Sequence, residues 1–268
     1  MKLRLFFLSI VLFFSFTNNI CFSQNIIIGE GPKDASQRKH LKYESNKGDS
    51  ILYYKGYSVI FSYTYNLPLY TFNLLTIDNL LTDIDRPPVK RSSTYFTTRL
   101  PNGTLSATNV DFKYSGYDRG HMVPAGDFVW NKELKDETFF YTNINPQSPN
   151  LNRGLWANLE NQIRTQVLRY SVDVYVVTGV LFNPAHKVQI GPNQLCIPVS
   201  FFKIVFFDEC NVMYAFLFDN TIDTFYGDIS DFQVSVDFLE QITGEDFFDL
   251  LDDHIEQEME SAIVRFND

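Results

Sequence analysis

Residues 195–218 read LCIPVSFFKIVFFDECNVMYAFLF, and this stretch decides the class of fold. Residues 195–207 are rich in β-branched and aromatic side chains, which is typical of a strand, and residues 212–218 have the same character. Residues 208–211 between them are polar and predict a turn. Because a strand that returns after a short turn lies antiparallel to the first, the stretch predicts an antiparallel hairpin within a larger sheet.

The hairpin also contains Cys196 and Cys210, one near each end of its first predicted strand. A strand advances by about 3.3 Å per residue, whereas a disulfide needs Cα atoms within about 7 Å. We therefore expect both thiols to be unpaired.

The segments on either side of this hairpin predict an α+β fold. Helical spacing of apolar residues or a capping residue indicates helices at residues 131–140, 151–168 and 232–243, the first capped by Asn131 and the last ended by Gly244. Further strands are predicted at residues 56–65, 69–75 and 172–181. Since helices and strands do not alternate regularly, we expect a mainly antiparallel central sheet flanked by helices.

The N-terminus is typical of an export signal. Lys2 and Arg4 precede an apolar run at residues 5–16, which is short for a membrane span, and then a polar stretch. We predict a signal peptide at residues 1–24, a loosely ordered segment at 25–50 and one domain at 51–268. The protein is thus expected to be secreted or periplasmic, without a membrane span after cleavage. A retained anchor, or a lipid-modified Cys21, is the alternative.

The charge balance argues against a strongly basic nucleic-acid-binding surface. The 268 residues carry a formal net charge of −10, whereas nucleic-acid-binding proteins usually present a basic surface. Eight of the acidic residues lie in residues 245–260, which we interpret as a solvated C-terminal helix. If a local basic cleft coexists with this acidic exterior, binding is expected to be weak and salt-dependent.

Residues 117–128 read YDRGHMVPAGDF and contain three residue types suited to phosphate chemistry. Arg119 can hold phosphate oxygens in a bidentate manner, Gly120 permits close backbone approach, and His121 can accept a proton near neutral pH. A polar turn with a hydrogen-bonded histidine is the alternative interpretation of residues 118–121 (DRGH) taken alone.

Residues 142–160, TNINPQSPNLNRGLWANLE, add candidate metal ligands. Asn152 and Glu160 are eight residues apart, which places them about 80° apart on a regular helix and so on the same side. Asn152 offers an oxygen to a hard cation, and Glu160 can hold a water of that cation. Magnesium suits such a site because it keeps several waters and needs few protein ligands. A helix cap and an exposed glutamate are the alternative.

Together the two segments resemble the DNA/RNA non-specific endonuclease family, the ββα-metal nucleases. The resemblance extends to the strands at residues 69–76, 197–205 and 215–218 and to the helix at 234–248, and covers about residues 55–250. It implies that His121 is the general base, that Asn152 is the magnesium ligand and that Glu160 orders metal-bound water. It also implies phosphate-facing roles for Arg119 and Arg91. Asn143 would be a supporting amide, and Asp118 a structural brace.

The resemblance implies a secreted, Mg²⁺-dependent endonuclease, with Mn²⁺ as a possible substitute, acting on DNA and RNA with little sequence preference. Its products would carry 5′-phosphates, and contacts confined to phosphate and sugar would explain the weak preference. Two alternatives are left open: a hydrolase of small nucleotide phosphodiesters, and a nucleic-acid-binding homologue without catalytic activity.

Overall fold

The computed structural model describes residues 23–25, 42–44, 49–82, 85, 87–90, 94–101, 103–185, 187–220, 227–249 and 251–266. Most of the predicted signal peptide (residues 1–22) and most of the segment at 25–50 lie outside these residues, so neither prediction is tested. Two short strands of that region, β1 (Ser23–Asn25) and β2 (Lys42–Glu44), pair with each other. Among the described residues, none of the helices combines the length and apolar character that a membrane crossing needs.

A seven-stranded sheet forms the centre of the molecule, and every pair of neighbouring strands in it is antiparallel. Its strand order is β13-β12-β11-β8-β5-β4-β3. The strands of this sheet are β3 (Asp49–Tyr53), β4 (Tyr57–Ser62), β5 (Leu67–Leu75), β8 (Val174–Leu181), β11 (Ser200–Phe207), β12 (Val212–Asp219) and β13 (Gln233–Val234). Two ribbons are separate from it, β6 (Asp118–His121) with β7 (Ile144–Gln147) and β9 (Gln189–Ile190) with β10 (Leu195–Cys196).

Seven α-helices occur among the described residues: α1 (Ile77–Leu80), α2 (Asn109–Phe112), α3 (Lys132–Glu137), α4 (Pro149–Leu151), α5 (Ala157–Tyr170), α6 (Val236–Thr243) and α7 (Asp253–Ser261). The sheet lies between the longer helices, with α5 on one face and α6 and α7 on the other. Leu159 and Val167 of α5 pack with Phe201 and Val205 of β11. Leu239 of α6 and Met259 of α7 pack with the alternate residues of β11, whose side chains point the other way. The expected α+β fold, a mainly antiparallel sheet flanked by helices, is confirmed.

The predicted hairpin is confirmed, but its first strand is interrupted. Residues 195–196 form β10, and β11 begins only at Ser200. β10 lies outside the central sheet: it pairs with β9, Cys196 N–H bonds to the Tyr65 carbonyl, and Ile197 N–H bonds to that of Val188. Both cysteines are free, Cys196 buried and Cys210 exposed, as expected.

The two C-terminal helices differ from their predictions. The helix predicted at 232–243 begins at Val236, where the Ser235 side chain caps it, and ends at Gly244 in the left-handed conformation. The prediction of one solvated helix over residues 245–260 is wrong. Residues 247 and 248 are buried phenylalanines, α7 starts only at Asp253, and its Glu260 is buried.

Candidate active site

Strands β6 and β7 form an antiparallel ribbon that leads directly into a helical segment, which is the ββα arrangement. Asp118 pairs with Gln147 at one end of the ribbon and His121 with Ile144 at the other. Gly120 is required within it, because a Cβ atom at that position would lie only 2.5 Å from Oε1 of Gln147 and 2.6 Å from its Cβ. The glycine therefore allows the two strands to approach each other closely at the point where Arg119 and His121 flank it.

Arg119 and His121 lie against the same tyrosine. Alternate residues of a strand point to the same side, and the ring of Tyr95 is 5.8 Å from the His121 ring and 5.2 Å from Cζ of Arg119. Phe139 contacts His121 edge-to-face at 5.0 Å. This aromatic packing restricts the imidazole and places the guanidinium beside it.

Further groups hold the guanidinium of Arg119, but they do not engage all of its N–H donors. Nε donates to the hydroxyl of Tyr141 at 3.3 Å and Nη2 to Oδ1 of Asn109, while Phe112 lies 5.5 Å from Cζ. A guanidinium has five N–H donors, so these two bonds leave donors for a ligand. The residue is partly exposed.

Asp118 joins the ribbon to the helical segment. Its Oδ2 accepts from Nδ2 of Asn152 at 2.9 Å and from Nε of Arg153 at 2.7 Å, and its Oδ1 accepts from Nη2 of Arg153 at 2.6 Å. Burial acts to raise the pKa of Asp118, but these bonds and the charges of Arg153 and Arg119 outweigh it and hold the pKa below its usual value. The carboxylate thus stays ionised and turns the carbonyl oxygen of the Asn152 amide away from itself.

Asn143 is fully buried and bonded to backbone only. Its Oδ1 accepts from Val123 N–H at 3.0 Å, and its Nδ2 donates to the carbonyls of Val123 and Thr138 at 2.9 Å. Its own carbonyl accepts from Met122 N–H at 2.9 Å. Since the two residues it holds directly follow His121, Asn143 fixes the chain there and acts behind the site.

Glu160 lies among other charged side chains beneath α5. Burial raises its pKa to about 7, against the opposing charges of Lys203 and Arg164, and Asp127 raises it further. Arg164 donates from Nη1 to Oδ1 of Asp127 at 2.7 Å. Glu160 is therefore not the exposed glutamate of the alternative interpretation.

Lys203 supplies a buried positive charge to this group from the centre of β11. The residue is 1% exposed, its Nζ donates to Oγ1 of Thr178, and Nζ lies 4.7 Å from the ring centre of Trp156. Burial lowers its pKa to about 8, while the charges of Glu160 and Asp127 act in the opposite direction. A lysine here therefore depends on the two carboxylates to remain charged.

The predicted helix at 151–168 contains an irregular turn that changes the relation of Asn152 to Glu160. Residues 152–156 form a π-turn, and Gly154 within it has non-helical angles of φ −104° and ψ −110°. The expected 80° separation assumed a regular helix and does not apply across this turn. Arg91, the second predicted phosphate-facing arginine, lies outside the described residues.

A model of the DNA/RNA non-specific endonuclease family matches residues 34–254 of the chain. The chain belongs to this family. Among its relatives, mitochondrial endonuclease G of Homo sapiens is 39% identical over 108 residues, which are 37% of this chain and 36% of that protein. Nuclease C1 of Cunninghamella echinulata var. echinulata is 36% identical over 54% of this chain and 62% of its own length.

Matches that cover more of the chain agree with this membership. The mouse mitochondrial nuclease EXOG is 29% identical over 74% of this chain and 57% of its own length. The chain thus spans less than two thirds of each of these three relatives. A crystal structure of the EndoG/EndoGI complex superposes with a TM-score of 0.67 at 29% identity, covering 76% of this chain and 87% of that one.

For this family member, sequence reasoning identified the residues of the ribbon but missed their partners. Tyr95, Asn109 and Arg153 carry no pattern that predicts their contacts, because each meets the site through the tertiary fold. Lys203 did carry a signal, since a lysine in the middle of SFFKIVFF is unusual for a buried strand.

Proposed function

We propose that this protein is an exported, Mg²⁺-dependent endonuclease that hydrolyses phosphodiester bonds of DNA and RNA with little sequence preference and leaves 5′-phosphates. One observation carries the proposal: in a member of the non-specific endonuclease family, Asp118 hydrogen-bonds to Asn152 and so joins the strand of His121 and Arg119 to the start of the helical segment.

The oxygen donors at this point suit a hard divalent cation. Because Nδ2 of Asn152 is engaged by Asp118, its carbonyl oxygen is the end of the amide available to a ligand. Magnesium prefers oxygen ligands and retains several waters, so Asn152 would hold the ion and Glu160 one of its waters. When bound, the ion supplies a positive charge that stabilises negative charge developing on the phosphate.

The side chains have distinct parts in the proposed reaction. His121 accepts a proton from the attacking water, as a general base does. The remaining donors of Arg119 stabilise the extra charge on the phosphate oxygens in the transition state. If water attacks phosphorus and the 3′ oxygen leaves, the phosphate stays on the 5′ side of the product.

The position of the acidic residues answers the objection raised by the net charge. The acidic stretch at 245–260 includes α7, and α7 packs on the face of the sheet opposite to α5. A negatively charged nucleic acid that approaches the ββα side is therefore separated from this stretch by the sheet. The short range of screened charge, about 8 Å at physiological salt, makes this separation effective.

The proposal is tested with the purified mature chain on plasmid DNA, RNA and a dinucleotide, in Mg²⁺, in Mn²⁺ and in a chelator. We expect cleavage of both polymers in metal, none in chelator, and product ends that ligate without prior phosphorylation. His121→Ala should lower the rate by about 10²–10⁴-fold, and the exposed His254→Ala should not. Hydrolysis of the dinucleotide alone would favour the small-substrate alternative, and binding without cleavage the inactive homologue.

Export is tested separately, by the intact mass of the protein recovered outside the producing cell. Loss of residues 1–24 is expected. Recovery of the full-length chain in the membrane fraction would instead support a retained anchor.

A further inference from the structure

Three carboxylates from two helices converge on the face of the sheet opposite to the nuclease site. Asp237 and Glu240 come from α6 and Glu260 from α7, and one oxygen of each lies within 4.8 Å of the others. Asp237 is exposed, Glu240 is partly buried and Glu260 is buried. The three residues line a site that runs from solvent to the interior, and they are called the α6–α7 carboxylate site below.

Glu260 provides a second observation, independent of the clustering. The residue is 4% exposed, and its Oε1 is shielded from solvent yet accepts no hydrogen bond from any described residue. Burying a carboxylate without a partner is costly, so such groups are normally paired, protonated or bound to a metal. A buried carboxylate with an unpartnered oxygen, lying beside two further carboxylates, is the arrangement of an incomplete coordination shell.

The surrounding charges do not compensate for this burial. Burial is the main cause that raises the pKa of Glu260 to about 9. The negative charges of four neighbouring carboxylates raise it as well: Glu240, Glu256, Asp237 and Asp246. Burial likewise raises the pKa of Glu240 to about 7, although Phe247 N–H donates to its Oε1 at 2.7 Å. The site must therefore gain positive charge from protons or from a cation in solution.

We propose that the α6–α7 carboxylate site binds Ca²⁺. The ligands offered are carboxylate oxygens, which calcium prefers, whereas zinc favours nitrogen and sulfur. Two oxygens on opposite sides of a calcium ion are about 4.6–5.2 Å apart, since each lies 2.3–2.6 Å from it. The three oxygens lie within 4.8 Å of one another, a distance that one calcium ion can span. Calcium also accepts irregular carboxylate geometry, whereas magnesium demands a near-ideal octahedron.

A bound ion would fasten the C-terminal segment to the core. Met259 of α7 packs into the apolar cluster with Leu239 of α6. Further along, Gln233 bonds to the Val264 carbonyl at 2.6 Å and to the Phe266 N–H at 2.8 Å. Because the ion would link α6 to α7 between these anchors, its role is structural and does not depend on the proposed nuclease activity.

The test is the thermal midpoint of the full mature chain, first treated with chelator and then titrated with CaCl₂ alone or MgCl₂ alone. At a calcium concentration ten times the Kd we expect a rise of about 3–6 °C, and a smaller rise with magnesium. An Asn152→Ala background removes the contribution of an ion at the nuclease site and should retain the calcium effect.

Glu260→Gln should abolish the calcium-dependent rise while leaving plasmid cleavage unchanged. Glu258→Gln, an exposed residue of the same helix, is the matched control and should keep the full rise. If Glu260→Gln does not fold, Asp237→Asn serves in its place, because that side chain is exposed. An unchanged midpoint up to millimolar calcium, or an equal rise in the Glu260 or Asp237 variant, would overturn the proposal.

Discussion

Beneath α5, the carboxylates of Glu160 and Asp127 lie with the positive charges of Lys203 and Arg164. Between α6 and α7, the buried Glu260 and the partly buried Glu240 lie among further carboxylates. In both places burial raises the pKa of the glutamates. On the first face positive charges of the chain oppose that rise, and on the second the neighbouring charges add to it.

The difference indicates where each group obtains its neutralising charge. A buried charge is tolerated when a partner of opposite sign is fixed beside it. The α5 side has such partners within the chain, so its charge balance is part of the fold. The α6–α7 carboxylate site depends on solution, and its stability should vary with pH and with added cations. Substitutions on both faces test this contrast.

The largest effect on stability is expected on the α5 side, where the buried charges have partners of opposite sign within the chain. Lys203→Met keeps the length of the side chain but removes the buried charge that acts on Glu160 and Asp127. We expect the free energy of unfolding to fall by about 3–5 kcal/mol, because removing one partner leaves buried charge uncompensated. Denaturant unfolding measures it. Lys90→Met, at an exposed lysine, should change it by less than about 0.5 kcal/mol. A loss for Lys203→Met as small as this would show that its charge does not matter.

On the face of α6 and α7, removing a charge is expected to raise the free energy of unfolding rather than lower it. With a folded pKa of about 9 against an ordinary 4.5, Glu260 binds more protons folded than unfolded between these pH values. Stability is therefore present below about pH 4.5 and is lost as pH rises towards 9. In chelator at pH 7, Glu260→Gln should raise the free energy of unfolding by about 1–3 kcal/mol.

The same variant should also flatten the pH dependence of unfolding between pH 5 and 9, which denaturant titrations at several pH values would reveal. Glu258→Gln is the control and should leave the slope in place. A destabilised Glu260→Gln with an unchanged slope would remove the distinction between the two faces.

A smaller effect is expected at the link between the ribbon and the helical segment. Asp118→Asn keeps the shape but removes the charge that orients Asn152. Groups that orient a metal ligand typically contribute about 10–100-fold in metal affinity, so the Mg²⁺ concentration for half-maximal plasmid cleavage should rise by that factor. Excess Mg²⁺ should restore the rate, and the exposed Asp208→Asn should behave like the parent. A lower rate that Mg²⁺ cannot restore would place Asp118 outside metal binding.

Local patterns predicted the parts of the molecule that depend on local contacts. The Asn131 cap, the Gly244 terminus and the apolar stripe of α5 are set by residues within a few positions of each other. The break at residues 197–199 was missed because its hydrogen-bond partners include Tyr65, far away in sequence. The same limit explains the C-terminal region, where Phe248 enters the core with φ of 67° and no helical pattern marks this.

The candidate site was predictable to the same extent. His121, Arg119 and Asn152 were predicted as site residues because their types and order are informative in sequence, and the structure joins their elements through Asp118. The charged environment of Glu160 was not, since it is produced by Lys203 of another element. The π-turn at 152–156 was also missed, although Gly154 marks the place where a regular helix is weakest.

The smallest effect is expected at Arg153, and comparison with Arg164 makes it informative. Both arginines bond an aspartate, but the side chains of the Arg153–Asp118 pair are 70% and 19% exposed, against 18% and 5% for Arg164–Asp127. Water and salt screen an exposed pair, so Arg153→Gln should lower the free energy of unfolding only slightly, and less still at high salt. Arg164→Gln should cost several times more and depend little on salt, because Asp127 would stay buried without its partner. Equal losses for the two variants would mean that burial does not set the strength of these pairs, and the contrast between the two faces of the sheet would then need another cause.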